Sequence, residues 1–468
     1  MRASISAGWY LLSIIVFLDL GVRDTKPRSA FAVNVGFPVC AAGMGRRCKD
    51  MGERRGAPLY RVSDPRSGAP VLAPSPSLPL PSHTRAIVLL AVAGFASQSM
   101  VRSADSLLPQ IAADLAVTIG AASIIVSAYT LVHGSMQLVI GPIGDRFGKY
   151  ATITVMCALS ALTVAACGLA DSLTTLTLAR IASGATASWI IPLGMAFIGD
   201  AVPYERRQQV LGRYLTGQIS GQLFGQAAGG IIGDWLGWRA AFFIHAAIFA
   251  VAALALLREL TTNPTTRPTG PKGARSRGFA ADYRIVLANP FARFIMVVSF
   301  MEFAFMFGAF AFVGADLHLR FGLSFTMVGL MVGFFGLGGL IYAGTVRQLV
   351  GWLGQPGLAM NGGFILGVAY LMLALAPVWW IAPVAVTMIG LGFYMLHNTL
   401  QTNATQMSPE ARGTAVGLFS AALYLGQTAG VAMFAPVVDR TGAPAVFVAA
   451  AILLPTLALW FSGRLKRR

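Results

Sequence analysis

Glu302 is the one carboxylate that the sequence places in the middle of a long apolar run. The run extends from Phe294 to Ala315, and Glu302 is its only charged residue. An ionisable side chain at hydrocarbon depth is costly and by default marks an ion pathway or a substrate site. A carboxyl group that takes up and releases a proton there is what a proton-coupled carrier requires. Phe300, Phe303, Phe305, Met306, Phe307 and Phe310 surround it in sequence. Aromatic and methionine side chains suit a broad apolar cavity, so Phe303 and Met306 are expected to line one. The plain structural alternative is a protonated glutamic acid hydrogen-bonded to a neighbouring helix.

Other polar residues lie in similar runs. Arg180 sits about two turns inside one, where an arginine must be paired, face water or snorkel to the surface. Arg102 and Asp105 are three apart, so they share a helix face and can pair, as a rim ion pair or in a cavity. Gln222 and Gln226 are one turn apart and can hydrogen-bond a substrate or a neighbouring helix. His397 can relay protons, although a structural histidine is the simpler reading. Enzyme constellations are missing: no Gly-x-Ser-x-Gly elbow, no zinc histidine pair, and no phosphate loop, because "GDRFGKY" has the wrong spacing. Neither a cofactor nor a metal is expected. Cys40, Cys48, Cys157 and Cys167 show no metal or disulfide spacing and read as small apolar fillers.

The elements that must position these residues follow from composition. The 468-residue chain is 56% hydrophobic and 11% charged, against about 25% charged in a soluble domain. Lipid is therefore the solvent for most of it. Twelve runs after residue 85 are long enough to span a bilayer as helices. They fall near 86–108, 119–140, 150–170, 174–198, 209–233, 239–257, 294–315, 325–346, 357–376, 378–400, 413–436 and 444–463. Residues 1–84 form a basic, proline-rich tail expected to be disordered. A polar loop, 258–293, separates two sets of six, 85–257 and 294–468.

The net charge of +17 does not indicate nucleic acid, because the basic residues alternate with topology. With the first span entering from the cytoplasm, 19 of the Lys/Arg from Arg85 onward lie on the inside and four outside, with Arg180 within a span, as the positive-inside rule requires. Both termini are then cytoplasmic, in a plasma (inner) membrane. The two sets also repeat. A shift of 205 residues places Arg207 on Arg412, Gly212 on Gly417, Gly221-Gln222 on Gly426-Gln427, Gly225 on Gly430 and Asp234 on Asp439. Repeated halves joined by a long loop are a transporter pattern.

Three motifs sharpen this. "GPIGDRFGKY", Gly141 to Tyr150, joins the second and third spans. Gly141 and Gly144 would permit a tight turn, and Asp145 would face the positive end of the third helix. "LARIASG" holds Arg180 and Gly184, and "GRYLTGQISGQLFGQAAGG" carries glycines 217, 221, 225 and 229 at a four-residue spacing suited to close helix approach.

Together these stretches resemble the major facilitator superfamily over about residues 86–463. "MVRSADSLLPQIAADL" and "HNTLQTNATQMSPEARG" further resemble its multidrug and arabinose-type efflux permeases. The resemblance implies an all-α fold of twelve transmembrane helices in two six-helix repeats. It implies a cytoplasmic gate at Gly141, Gly144, Asp145, Arg146 and Gly148, and a proton-transfer or binding role for Arg180. It implies helix packing at Gly212, Gly221, Gly225, Gly229 and Gly230. Gln226 replaces the proline expected after Gly225. The second-half counterpart of the gate, Arg347 to Gly354, lacks an aspartate.

The expected activity is proton-coupled export of small apolar or amphipathic compounds by alternating access. Its residues would be Glu302, Arg180 and Asp105 for protons, and Gln222, Gln226, Phe303 and Met306 for substrate. Its partners would be a small-molecule substrate, protons and the bilayer, with the monomer functional. A facilitator or uptake carrier for a polar metabolite stays open because of Gln226. A non-transporting membrane sensor would need a soluble signalling domain, for which the tail and central loop are too small and polar.

Overall fold

A computed structural model describes residues 81–267 and 279–467. The expected tail, including Cys40 and Cys48, lies outside the described residues except for 81–84, which open the first helix. Among the described residues no strand forms, and a helix occupies each of the twelve expected spans. They are α1 (Pro81–Ser103), α2 (Ile119–Met136), α3 (Lys149–Gly168), α4 (Leu173–Ala201), α5 (Tyr204–Leu236) and α6 (Trp238–Thr262). After the central connection come α7 (Pro290–Phe310), α8 (325–353), α9 (355–375), α10 (Ile381–Ala404), α11 (Arg412–Thr441) and α12 (Ala443–Lys466). Helices α8 and α9 run together as Phe325–Leu375 and are separated by Gly354, whose φ of 62° no helical residue adopts. By length and hydropathy ten segments qualify as membrane spans, with Phe325–Leu375 counted once. Helix α5 falls short because it carries glutamines 208, 209, 218, 222 and 226 and arginines at its start.

Two local expectations change. The stretch around "GPIGDRFG" is a short helix, Ile140–Phe147, so Gly141 and Gly144 are helical and the turn falls at Gly148, φ 89°. Gly144 instead leaves room for the Leu193 side chain. The central loop is also partly ordered, with a helix at Phe279–Ala288 whose Tyr283 hydroxyl donates to Leu138 O at 2.6 Å.

Packing repeats with the sequence. In the first half α1 lies against α5, α2 against α4, and α3 against α6. In the second, α7 lies against α11, α8 against α10, and α9 against α12. Glycines set the closest approaches. A Cβ on Gly221 or Gly225 would collide with the backbone of Phe95 or Ser99, and one on Gly426 or Gly430 with that of Phe300 or Ala304. All four pairs are related by the 205-residue shift. Gly229 abuts Ser103, and Gly230 abuts Phe325 and Gly329 of α8. Gly212 has open space around it, so the packing expected of it is not made.

The halves meet through α2–α11 and α5–α8. Call the end where α1 starts and α12 finishes the near end, and the other the far end. At the far end α5 and α8 touch from Leu223–Gly336 to Gly230–Gly329, and Gly314 lies against Asp105 and Ser106. Toward the near end Gly212, Gly344 and Gly351 have no neighbour within 4 Å. The fifth and eighth helices thus diverge there, which is why Gly212 packs against nothing.

A far-end anchor joins Asp114 to the start of α6: Trp238 Nε1 donates to its carboxylate at 3.0 Å, and Arg239 Nη1 donates as well. The hydrogen bonds from Arg239 and Trp238 hold this carboxyl below the usual carboxylate range.

Two measurements check these contacts. Gly225→Val and Gly430→Val, which force side chains into backbone, are expected to lower unfolding stability in detergent by about 1–3 kcal/mol each. Gly212→Ala should leave it unchanged, and equal effects at all three positions would sink the packing argument. Because the folded-state pKa of Asp114 is depressed, its contribution is present above an unfolded value of about 4 and lost as pH falls through the folded one. The melting-temperature advantage over Asp114→Asn is therefore expected to be small, since the pair is half exposed. It should shrink below about pH 4, whereas a gap that widens on acidification would contradict it.

Candidate functional site

Helix α7 begins with an Asn289 cap that accepts from Phe291 N at 2.9 Å and Ala292 N at 3.4 Å, with Pro290 at its first position. It starts four residues before the expected run, so Glu302 is its thirteenth residue, about 18 Å along the axis. The glycine contacts fix how the helix is turned. Phe300 and Ala304 lie against α11, and residue 302 is about 200° around the helix from either. Glu302 therefore faces away from α11 and toward α10.

There it meets His397. Glu302 Oε2 lies 3.0 Å from His397 Nδ1, and Glu302 is fully buried while the histidine side chain keeps 13% exposure. Glu302 Oε1 is buried without a hydrogen-bond partner. The imidazole stacks on Phe393 at 4.8 Å and 13°, with Phe303 at 5.4 Å and Phe419 at 6.0 Å. His397 is the hydrogen-bond partner of the intramembrane acid, a contact that fits both a satisfied structural histidine and a proton relay. Phe303 is one of the rings around the imidazole. Met306 does not line an open cavity, being enclosed with no exposure where Tyr370 donates to its carbonyl at 2.6 Å.

The first half contributes a second polar group. Arg180 is fully buried, so it does not snorkel: Nε donates to Ile125 O at 3.1 Å, the guanidinium lies 4.2 Å from the Tyr129 ring, and Nη1 and Nη2 have no partner. Arg102 and Asp105 are 3.6 Å apart and only 5% and 2% exposed, which removes the rim reading. Helix α1 ends at Ser103, and the turn that follows carries Asp105 inward. The Arg102 guanidinium lies 3.7 Å from the Phe307 ring of α7, a cation–π contact joining the halves. Arg180 is near enough to attract the Asp105 carboxylate.

A line of rings connects the two groups. Tyr129 neighbours His133 at 5.5 Å, His133 neighbours Tyr424 of α11 at 4.3 Å, and Tyr424 neighbours Phe303 at 6.5 Å. The sequence reading missed His133 and Tyr424, which carry no motif. Gln226 is fully buried with both amide atoms unpaired, whereas Gln222 is half-buried. Gln427, the repeat mate of Gln222, is also fully buried and unpaired; the 205-residue shift was the signal that could have found it. Unpaired buried polar atoms are uncommon, and these gather around the meeting of the halves.

The expected gate is only partly visible. Gly148 starts α3, Lys149 pairs with Asp200 at the end of α4, and Arg146 is exposed. The side chain of Asp145 lies outside the described residues.

The hydrogen-bonded pair gives a prediction. Glu302→Leu or His397→Leu alone leaves a buried group unpaired and is expected to lower stability by about 1–3 kcal/mol. The double variant should cost clearly less than the sum, read from unfolding in detergent. Simple additivity would mean the pair is not coupled.

Comparison with known proteins agrees with the fold. A family model described as Major Facilitator Superfamily matches residues 90–431. The uncharacterised MFS-type transporter YceJ of Bacillus subtilis is 25% identical over 312 residues, 66% of this chain and 77% of its own. The efflux pump radE of Floropilus chiversii is 26% identical over 259 residues, covering 49% of this chain and 47% of its own. Among solved structures, that of the nucleoside transporter NupG superposes with a TM-score of 0.68 at 15% identity, covering 81% of this chain and 99% of that one.

Proposed function

The chain belongs to the Major Facilitator Superfamily, and from that premise we propose that it is a proton-coupled exporter of small apolar or amphipathic compounds. As a member of a transporter family it moves solutes across a membrane and is not an enzyme. The observation that carries the proposal is Glu302: a fully buried carboxyl group whose hydrogen-bond partner is His397, inside an aromatic cage. One proton can occupy either side of that hydrogen bond. His397, the member with residual exposure, is the route by which the proton enters and leaves. Phe303, Phe393, Phe419 and Tyr424 offer an apolar, polarisable surface for a hydrophobic solute. Similarity to the efflux pump radE supports the outward direction.

Alternating access is supported by two repeated halves that touch at the far end and whose α5 and α8 separate toward the near end, while α2 and α11 stay in contact as far as Gln137 and Gly417. Among the described residues 15 Lys/Arg lie toward the near end, against Arg239, Arg320 and Arg440 at the far end, so the near end faces the cytoplasm of a plasma membrane on this reading. On its α5–α8 side the state described is then open inward. Arg180 and Asp105 form the first half's side of the proton site, and Arg102 links them to α7.

Gln226 supports a second reading. Its unpaired amide in the middle of α5 would suit a carrier for a polar metabolite that hydrogen-bonds it.

Substrate-driven proton flux in vesicles separates the two. Wild-type protein is expected to move protons against lipophilic cations, and Glu302→Gln to abolish that flux and flatten the pH dependence of transport. Unchanged pH-dependent transport in the variant would remove Glu302 from the mechanism. No proton movement with any lipophilic cation, alongside transport of a polar solute, would select the carrier reading.

A further inference from the structure

Asp234 and Asp439 coincide under the 205-residue repeat, yet neither belongs to the central site. Asp439, at the far end of α11, accepts from Thr118 Oγ1 at 2.7 Å and from Gly120 N at 2.8 Å. Asp234, at the far end of α5, accepts from Thr326 N at 3.2 Å. The contacts are equivalent in detail. Thr118 caps α2 by accepting from Ala121 N, and Ser324 caps α8 by accepting from Met327 N. Gly120 and Thr326 each lie two residues beyond their cap. In both helices, then, the cap's own hydroxyl takes one of the orphan N–H groups, and a carboxylate from the opposite half takes the one before it.

We propose that Asp234 and Asp439 are a pair of crosswise latches that hold the far end closed and set the balance between inward- and outward-open states. This rests on the alternating-access reading. Each latch joins a negative charge to the positive end of a helix, and each crosses between halves in the opposite sense: α11 to α2, and α5 to α8. The fit is close, since a Cβ on Gly120 would strike the Asp439 carboxylate. Both aspartates are exposed, so each contact is weak and readily broken. That suits a gate that must open in every cycle, because a switch can be shifted only by the difference in free energy between its states. Each half also has a far-end anchor that stays within it: Asp114 on Trp238 and Arg239 in the first, and Arg320 on Asp316, Leu373 O and Ala374 O in the second.

The test reads conformation directly and needs neither substrate nor proton. Spin labels are placed on exposed far-end residues of opposite halves, through Ala113→Cys and Leu319→Cys, with the four native cysteines replaced. Distances are measured by pulsed electron resonance in lipid nanodiscs. Asp234→Ala with Asp439→Ala is expected to raise the ratio of long to short distances about ten-fold. The corresponding Asn pair, which keeps an acceptor oxygen but loses the charge, should shift it less in the same direction, and it serves if the Ala pair does not fold. Asp114→Ala should not shift it. An unchanged distribution in both pairs would overturn the proposal, as would an equal shift from Asp114→Ala. Failure here with vesicle transport intact would leave the export reading standing. Success with no proton flux would leave the latches standing in a carrier of another kind.

Discussion

Backbone-to-backbone contact at glycine decides where everything else points. Gly221 and Gly225 seat on Phe95 and Ser99, and Gly426 and Gly430 seat on Phe300 and Ala304. In a membrane the hydrophobic effect does not drive helices together, so close approach of small residues does much of that work. Once α7 is seated at residues 300 and 304, residue 302 has one direction available, and it meets α10. The chemistry of Glu302 is thus specified by glycines on α11, more than a hundred residues away in sequence.

The same constraint explains what could be read in advance. Twelve apolar runs, the half-and-half repeat and the glycine spacing all depend on local composition and period, and the helices match them. Glu302 stood out because one charge in twenty-two apolar residues needs no structure to notice. His397 did not, because a histidine near a helix end looks alike whether it packs or pairs, and its partner lies 95 residues away. Asp105 stayed open between rim and cavity for a similar reason: an aspartate at the end of a run is ordinarily at the rim, and only the turn after Ser103 carries it inside. Gly212 belongs to the family motif but lies where α5 and α8 have separated. A motif gives which face can pack, not how far along it a neighbour extends.

The two halves share a frame but not a chemistry. The position matching Glu302 in the first half is Ser97, fully buried, whose hydroxyl donates to Ala187 O of α4 at 3.2 Å. One half therefore closes its α1–α4 contact with a neutral hydrogen bond, and the other closes α7–α10 with an acid and a base. Charge in the first half sits elsewhere, on Arg180, Arg102 and Asp105. Burial of such groups is tolerated where partners or cavities exist, and these lie along the seam between the halves.

Glu302 and His397 both belong to the second half. A rocking motion about the seam would therefore carry them as one rigid piece, without stretching the bond between them. The pair need not break for its surroundings to exchange one compartment for the other. What changes is which side is connected, and so how much of the membrane voltage a proton must cross on each leg of its journey. In a protein built this way, electrical sensitivity would be set by the depth of the opening at each end, and not by the affinity of the site itself.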